Sequence, residues 1–238
     1  MNYRQTRNGY LNCNVRMYEG VGAYDVPEIA PVDVDLTSAA LIDFSHALKT
    51  SEPEKKICHF FTDDYEFERC WREPRRYVEN LRRFRAVIGP DFSSYTDFPW
   101  ACQVFNHYRR QWLARFWQDE GVAIIPDVQF GYDDDGASFL YCLDGIPRGG
   151  LIATSTIGGL KNKRMREMWL ERWRNVVEIL RPRRVLLVGK MFEGIELPGG
   201  EIINLESNTI ANKEAERDAR IQARKMDAGA NRAEGQEI

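Results

Sequence analysis

The stretch Leu151–Val188 reads LIATSTIGGLKNKRMREMWLERWRNVVEILRPRRVLLV and carries the clearest fold signal in the chain. Leu151–Ser155 and Arg184–Val188 are apolar runs of strand length, and Gly189 stops the second one. Between them, residues 163–180 repeat large apolar side chains at helical spacing: Met165, Met168, Trp169, Trp173, Val176, Val177 and Leu180. A strand, an amphipathic helix and a second apolar strand are typical of a parallel sheet that is covered by helices.

The same alternation of strand and helix extends towards the N-terminus. Ala86–Ile88 predicts a short strand that stops at Gly89, and Phe98–Asp119 predicts an amphipathic helix that ends at Gly121. Further strands are predicted at Ile57–Phe61, Val122–Ile125, Phe139–Leu143 and Glu201–Leu205. Further helices are predicted at Thr37–Leu48 and at Thr62–Phe84, with Pro74 interrupting the second. The pattern indicates an α/β fold with a mostly parallel sheet.

Two arrangements of this sheet are compatible with the pattern. About five or six strand–helix units are visible, which is fewer than the eight of a full TIM barrel. No GxGxxG motif follows any strand, and this removes the usual sign of an open dinucleotide-binding sheet. We therefore favour a TIM-barrel-like sheet, complete or incomplete, over an open doubly wound sheet.

Composition divides the chain into three segments. Residues 1–52 are rich in Asn, Gly, Tyr and Pro and predict an irregular N-terminal arm that ends in a short helix. Residues 53–210 hold the strand–helix units and predict the α/β core domain. Residues 211–238 contain almost no large apolar side chain, which predicts a disordered or frayed helical tail.

The overall charge and the cysteine pattern exclude several classes of protein. A net charge of −3 over 238 residues gives no general attraction to nucleic acid or to a membrane surface. No apolar run approaches the roughly 18 residues that span a bilayer. The five cysteines contain no CxxC pair, so we expect buried, reduced thiols rather than a zinc or cluster site. We expect a cytoplasmic protein with no membrane partner.

Carboxylates follow three of the predicted strands at the point where each strand ends. Asp63 and Asp64 follow the first strand, Asp91 follows the second and Asp127 follows the third. Because parallel strands share one carboxyl-end edge, where active sites of this class gather, we predict Asp91, Asp64 and Asp127 as catalytic residues. They could act as acid, base or nucleophile, or hold a divalent metal. For Asp63 and Asp64, capping of the following helix is the alternative.

The loop after the second strand combines features of a binding loop. Residues 89–99 contain two carboxylates, two serines, a threonine and aromatic rings between glycine and proline residues. The helix that follows adds polar side chains at spacings of three and four residues. Besides Asp63, the predicted substrate-binding residues of this region are Ser93, Tyr95 and Asp97 from the loop, and Gln103, Asn106 and Arg109 from the helix.

Two further segments carry positive charge near possible ligand sites. Thr156 and Lys161 flank a glycine pair before the helix at residues 163–180, which predicts a weak anion site without the spacing of a phosphate loop. Residues 69–85 contain several arginines, which could follow a phosphate backbone. Glutamates interleave with these arginines, so a salt-bridged helix face is the stronger hypothesis for that segment.

Several segments together resemble one known family. They are residues 63–68, residues 89–95 with Asp97 and Pro99, Gln103 with Asn106, Tyr108 and Arg109, residues 125–126, and residues 144–147. They resemble a family from phages, mobile elements and bacteria that is catalogued as domain of unknown function 4417. The resemblance covers Ile57–Gly189 and leaves out the segment before Pro53 and the charged tail. It implies a phage or mobile-element context and marks the loop around Asp91 as a family hallmark, but it implies no activity.

Three functions are compatible with these features. The first is an enzyme that acts on a nucleotide, nucleobase or nucleic acid through carboxylates at the carboxyl-end edge of the sheet. The second is a non-catalytic protein that binds nucleic acid or a host protein through the arginine-rich segment. The third is a structural protein whose cleft has no ligand. No cofactor motif is present, and a divalent metal at the carboxylates stays open.

Overall fold

The computed structural model describes residues 11–95, 97–130, 138–157 and 162–206, and in this part parallel strands alternate with helices. The strands are β1 (Gly20–Val21), β2 (Val26–Pro27), β3 (Ala40–Asp43), β4 (Lys56–His59), β5 (Ala86–Ile88), β6 (Ile124–Ile125), β7 (Leu151–Ser155), β8 (Arg184–Val188) and β9 (Glu201–Leu205). The helices are α1 (Phe44–Ala47), α2 (Asp64–Arg72), α3 (Val78–Leu81), α4 (Trp100–Asp119) and α5 (Lys163–Leu180). The predicted α/β class is confirmed.

The strands from β3 to β9 are all parallel and follow one another in chain order. They form a four-stranded sheet, β3-β4-β5-β6, and a three-stranded sheet, β7-β8-β9. A bridge between Asp127 and Ala153 joins the two sheets, since the Ala153 amide donates to the Pro126 carbonyl and the Val128 amide to the Ala153 carbonyl, both at 2.8 Å. In a TIM barrel, too, each strand lies beside the strand that follows it in the sequence. Within the described residues β3 and β9 do not pair, so closure into a barrel stays a prediction.

Strands β4 to β8 bury both of their faces, whereas β3 and β9, at the outer edges of the two sheets, are partly exposed. One face forms an inner apolar cluster that takes side chains from the strands of both sheets, including Leu41, Ile57, Ile88, Ile125, Ala153, Leu186 and Ile203. The other face packs under the helices: Phe60, Val87 and Ile124 lie with the aromatic residues of α2 and α4, and Ile152, Val185 and Leu187 lie with those of α5. Because side chains alternate along a strand, residues two positions beyond Leu41, Ile57 and Ile125 belong to the inner face at the carboxyl end.

Local sequence explains where the long helices begin and end. The Asn162 side chain accepts a hydrogen bond from the Met165 amide at 2.9 Å and so caps the N-terminus of α5. Arg181 ends α5 with a left-handed backbone. Gly121 follows α4 with a φ of +85°, as the sequence predicts. After α2 the chain restarts at Pro74 with a short turn that leads into α3.

Two predicted elements are wrong. Ala40–Asp43 is not helical: it forms β3 against β4, because Leu41 and Ile42 contact the apolar clusters on opposite faces of the sheet, and only α1 remains of the predicted helix at Thr37–Leu48. Phe139–Leu143 is not a strand but part of a 3-10 turn at Ser138–Leu143. Its apolar residues Tyr141, Cys142 and Leu143 are buried against the α5 cluster, so burial alone explains the apolar run.

The structure also bears on the other segments and on the cysteines. β3 lies within the predicted arm 1–52 and yet belongs to the sheet, whereas the predicted tail, residues 211–238, lies outside the described residues.

All five cysteines are free; three are buried as expected, but Cys102 is exposed and Cys13 is partly exposed. None of the described helices is long and apolar enough to cross a bilayer.

Candidate active site

The carboxyl ends of β3, β4 and β6 carry buried polar side chains on the inner face of the sheet. Asp43 ends β3, His59 ends β4 and Asp127 follows β6, and each is 0–5% exposed. Asp43 and His59 are partners in the register of their strands. Asp91 follows β5 in the loop between that strand and α4. The edge that the sequence predicts as an active site therefore concentrates polar groups that are largely out of contact with water.

Asp91 and Asp127 form a coupled pair of carboxyls. Burial raises the pKa of Asp91 from its ordinary value of 3.8 to about 7; the nearby Arg110 opposes this rise and Asp64 adds to it. Burial and the charge of Asp91 raise the pKa of Asp127 well above its ordinary value. Asp127 is 5% exposed and Asp91 is partly exposed, and two carboxyls whose charges act on each other at such a site do not both ionise easily. The pair therefore holds a proton in the neutral pH range, where an exposed aspartate would have lost it.

Asp127 has unused hydrogen-bonding capacity. Both of its carboxyl oxygens are buried and neither has a hydrogen-bond partner of normal geometry among the described residues. The Gln129 carboxamide is close enough to favour the charged forms of Asp127 and Asp91. A buried polar atom without a partner is costly, so natural proteins keep such atoms mainly where function needs them. The Asp127 oxygens therefore keep hydrogen-bonding capacity that the described residues do not use.

Arg110, on α4, is a buried cation beside this pair. Its side chain donates hydrogen bonds to the Phe92 carbonyl at 3.2 Å, to the Ser94 hydroxyl at 3.4 Å and to Nδ1 of His107 at 3.3 Å. It is 3% exposed and forms no ion pair within 4.0 Å with any described carboxylate. Its Nε has no hydrogen-bond partner in the part of the chain that the structure describes. The guanidinium is thus fixed by neutral groups while its charge acts on the carboxyls.

His107 is the neutral partner of Arg110. Its Nε2 lies 2.9 Å from the Asp144 carbonyl, which can only accept, so Nε2 carries the proton and Nδ1 accepts from Arg110. Burial, together with the charge of Arg110, lowers the pKa of His107 to about 3. The imidazole is therefore uncharged over the physiological pH range, in one fixed tautomer.

Asp64 and Asn106 anchor the loop that carries Asp91. The Asp64 carboxylate accepts from the Ser93 amide at 3.2 Å and from the Ser93 hydroxyl at 2.8 Å. The Asn106 amide donates to the Ser93 carbonyl at 2.7 Å. Asp63 occupies the N-cap position of α2, but its side chain makes no capping hydrogen bond, and Asp64 is the first helical residue. Asp63 therefore has the predicted capping position without the side-chain hydrogen bond of a cap, whereas the Asp64 carboxylate, in the first turn, binds Ser93.

Gln103 and Arg109 contact the protein itself. The Gln103 amide donates to the Phe98 carbonyl at 3.1 Å, and its oxygen accepts from the Tyr141 hydroxyl at 3.4 Å. Arg109 pairs with Glu68 at 2.8 Å and lies 3.7 Å from the centroid of the Phe92 ring. These contacts hold α4, α2 and the loop together. A role in substrate binding stays a prediction for both residues.

The remaining predicted residues are distributed around the edge. Tyr95 is 56% exposed, with its ring packed edge-to-face at 5.1 Å against Phe98, and Asp97 is exposed nearby in the sequence. Thr156 is buried at the end of β7, and its hydroxyl donates to the Lys190 carbonyl at 3.1 Å. Lys161 lies outside the described residues. The sites predicted at Tyr95, Asp97 and Lys161 thus have no contact that tests them.

Sequence reasoning missed several polar residues of this edge. Asp43 was hidden by the wrong helix at residues 37–48; it accepts from the His46 amide at 3.2 Å and from His46 Nδ1 at 2.9 Å. His59 Nδ1 accepts from the Phe61 amide at 3.3 Å. Gln129 stands two residues beyond Asp127, and this spacing of two along an extended chain was the signal that could have found it.

Three of the seven arginines in residues 69–85 form ion pairs with carboxylates of this chain. Arg76 lies 2.6 Å from Glu73, Arg82 lies 2.5 Å from Glu79, and Arg75 lies 3.3 Å from Glu120. These pairs support the hypothesis of a salt-bridged helix face. Within the described ranges no group of three or more His, Cys, Asp or Glu side chains is arranged to hold a metal ion.

Comparison with known proteins identifies a family. The family model described as "Domain of unknown function (DUF4417)" matches residues 18–206, which include all three predicted catalytic aspartates. The "Gene 1 protein" of Mycobacterium phage L5 is 32% identical over 179 residues, which cover 75% of this chain and 77% of that protein. The "Gene 1 protein" of Mycobacterium phage D29 is 29% identical over 191 residues, 79% of this chain and 70% of that protein. No solved structure matches the chain. The resemblance noted in the sequence is confirmed, and the chain belongs to the DUF4417 family.

Proposed function

We propose that this chain is an enzyme that uses Asp91 and Asp127 as a general acid–base pair on a nucleotide, nucleobase or nucleic-acid substrate. One observation carries the proposal: both carboxyl oxygens of Asp127 are buried and lack a hydrogen-bond partner among the described residues, while Asp91, whose own pKa is raised by burial, acts on Asp127. A purely structural pair would have its oxygens hydrogen-bonded. Strongly perturbed carboxyls at the carboxyl-end edge of a parallel sheet are the usual mark of acid–base catalysts.

The pair could perform acid–base chemistry without a change in its total charge. One carboxyl, in its protonated form, donates a proton to the leaving group, while the other, ionised, accepts a proton from the attacking water. Each turnover moves one proton onto the leaving group and takes one from the water, so the total protonation of the pair is unchanged. The proton then lies on the carboxyl that acted as base, and it must pass back to the other carboxyl before the next turnover. Hydrolysis of a glycosidic bond uses two carboxyls in this way.

The surroundings support a substrate of the nucleotide, nucleobase or nucleic-acid class. Tyr95 offers an exposed ring on the loop that carries Asp91, and exposed tyrosines can stack on a base. The relatives at 29–32% identity are phage proteins. In this proposal Asp64 is a positioning residue, because its carboxylate already accepts two hydrogen bonds from Ser93.

Binding through the arginine-rich segment has weaker support. Arg75, Arg76 and Arg82 already contact carboxylates of the same chain, so a phosphate backbone would have to displace these partners.

The test is turnover of a panel of nucleosides, nucleotides and short DNA and RNA, with products identified by mass spectrometry. We expect Asp127→Asn and Asp91→Asn to lower the rate on the active substrate by about 10²–10⁴-fold, the usual contribution of a positioned acid or base. Asp119→Asn, at the far end of α4, is the matched control and should keep the wild-type rate. Full activity in both site variants, or no turnover of any member of the panel, would contradict the proposal.

A further inference from the structure

We infer that Arg110 is the counter-charge of the Asp91–Asp127 pair and that His107, by staying neutral, holds Arg110 in that position. This inference rests on the proposed function and deepens it, because it assigns a positioning role to two residues that the acid–base chemistry does not itself use. The reason lies in how the guanidinium is fixed, which is unusual for a buried arginine.

A buried arginine normally has a carboxylate partner. Arg109, one residue earlier on the same helix, follows this rule, because Glu68 lies 2.8 Å from it. Arg110 is buried to a similar degree, yet its hydrogen bonds go to a carbonyl, a hydroxyl and an imidazole, all uncharged. The energetic cost of a buried, unpaired cation is high unless its charge is balanced close by. The hydrogen bonds to Phe92 and Ser94 place Arg110 beside the loop that carries Asp91, and its charge acts on both Asp91 and Asp127.

Arg110 offsets negative charge at this site. When Asp91 and Asp127 hold one proton between them, they carry one negative charge, and Arg110 supplies a positive charge that acts on both carboxyls; the Asp64 carboxylate, which acts on Asp91, adds a further negative charge. Because Arg110 does not form a direct ion pair with either carboxyl, it stabilises the total charge of the pair without choosing which carboxyl is ionised. That property suits a pair in which the two carboxyls exchange the roles of acid and base.

His107 keeps the counter-charge in position. Its Nδ1 accepts from Arg110 and its Nε2 donates to the Asp144 carbonyl, so the imidazole must be singly protonated for both bonds to form. A protonated His107 would place a second positive charge against Arg110 and lose the bond between them. Leucine would remove the acceptor, whereas glutamine can accept from Arg110 with its oxygen and donate with its amide nitrogen.

Two further groups act on the pair, one from α2 and one from the chain beyond β6. Asp64, at the start of α2, raises the pKa of Asp91, and the Gln129 carboxamide, beyond β6, opposes the shifts of both members. Arg110 is the one described cation that acts on both carboxyls. Asp64 and Gln129 stay unchanged in every variant that follows, so a shift of the titration reports on Arg110 alone.

The experiment follows the carboxyl ¹³C resonances of Asp91 and Asp127 by NMR while the pH is varied from 4 to 9. In Arg110→Met, which keeps length and loses charge, we expect the midpoint of the pair to rise by about one pH unit or more. Arg110→Lys should restore most of the wild-type midpoint, because it keeps the charge. His107→Leu should shift the midpoint in the same direction as Arg110→Met, and His107→Gln should restore it.

The outcomes separate the inference from the function on which it rests. If the wild-type pair titrates above pH 5 and the midpoint is the same in Arg110→Met, the inference is wrong while the acid–base pair stands. If both carboxyls of the wild-type pair titrate with midpoints near pH 4, the inference and the proposed acid–base function are both wrong. Because a variant can fail to fold, circular dichroism at each pH accompanies the titration. If Arg110→Met is unfolded, the His107→Leu and His107→Gln pair decides: equal midpoints in those two variants overturn the inference.

Discussion

The middle and the C-terminal end of α4 differ in how they hold electric charge. At the C-terminal end, the Asp119 carboxylate lies 2.8 Å from Arg16 and 2.8 Å from Arg115, and all three side chains are partly exposed. At the middle of the helix, Arg110 is buried and lacks an ion pair with any described carboxylate, although its charge acts on Asp91 and Asp127. At Asp119 each charge has a direct ion-pair partner. Around Arg110 the opposite charges lie near each other without a direct ion pair among the described residues.

The difference shows where the chain gives up stability. Exposed ion pairs contribute little, but they satisfy their charges at little cost. Buried carboxyls without hydrogen bonds are destabilising, and a fold keeps them when their chemistry is useful. The pKa shifts have opposite signs for the same reason. Partial burial opposes the shift at Asp119, but hydrogen bonds from Arg115, Tyr18 and Arg16 outweigh it and lower the pKa, whereas burial raises that of Asp127.

The largest effect is expected where a buried charge on α4 does have a partner. Arg109→Ala should lower the free energy of unfolding by about 3 kcal/mol, because it leaves Glu68 unpaired and removes the guanidinium from the Phe92 ring. Chemical denaturation measures this loss, with Arg115→Ala as the exposed control. Equal losses in the two variants would show that burial does not distinguish the pairs along α4.

A smaller effect is expected at the exposed cluster. Asp119→Asn should lower the free energy of unfolding by about 1 kcal/mol or less at pH 7, and the loss should shrink in 1 M salt. Because the folded-state pKa of Asp119 is depressed, its contribution is present above the ordinary pKa of 3.8 and is lost as the pH falls through the folded value. Denaturation at pH 7 and at pH 3 measures this. A loss of unfolding free energy in Asp119→Asn that is larger at pH 3 than at pH 7 would contradict a depressed pKa of Asp119 in the folded protein.

The regular elements were predictable where the sequence pattern was long or sharply bounded. α5 and β8 have the predicted limits, because a strong apolar period and a glycine stop define them. Ala40–Asp43 is too short to show whether its period is two or 3.6, and pairing with β4 decides it. The position of Asp91 and Asp127 just beyond two strands was predictable, because Gly89-Pro90 and Pro126 mark the ends of those strands.

The roles of the α4 side chains were not predictable to the same degree. The sequence shows that Asn106 and Arg110 share a helix face, but it does not show that this face covers the loop rather than the opening of the site. That depends on how α4 is rotated against the sheet, which is decided by buried residues such as Trp112 and Phe116 from the same helix.

The most direct test of the acid pair is the difference in unfolding free energy between Asp127→Asn and wild type, measured from pH 4 to pH 8. A carboxyl whose folded pKa is raised keeps its proton where the unfolded chain has lost it, so the contribution of Asp127 to stability falls as the pH rises above about 4. The shift of His107 acts in the opposite direction but is present in both proteins. The account predicts that Asp127→Asn gains on the order of 2 kcal/mol relative to wild type across this interval. A difference that is independent of pH, or that grows in favour of wild type, would contradict a proton held between Asp91 and Asp127.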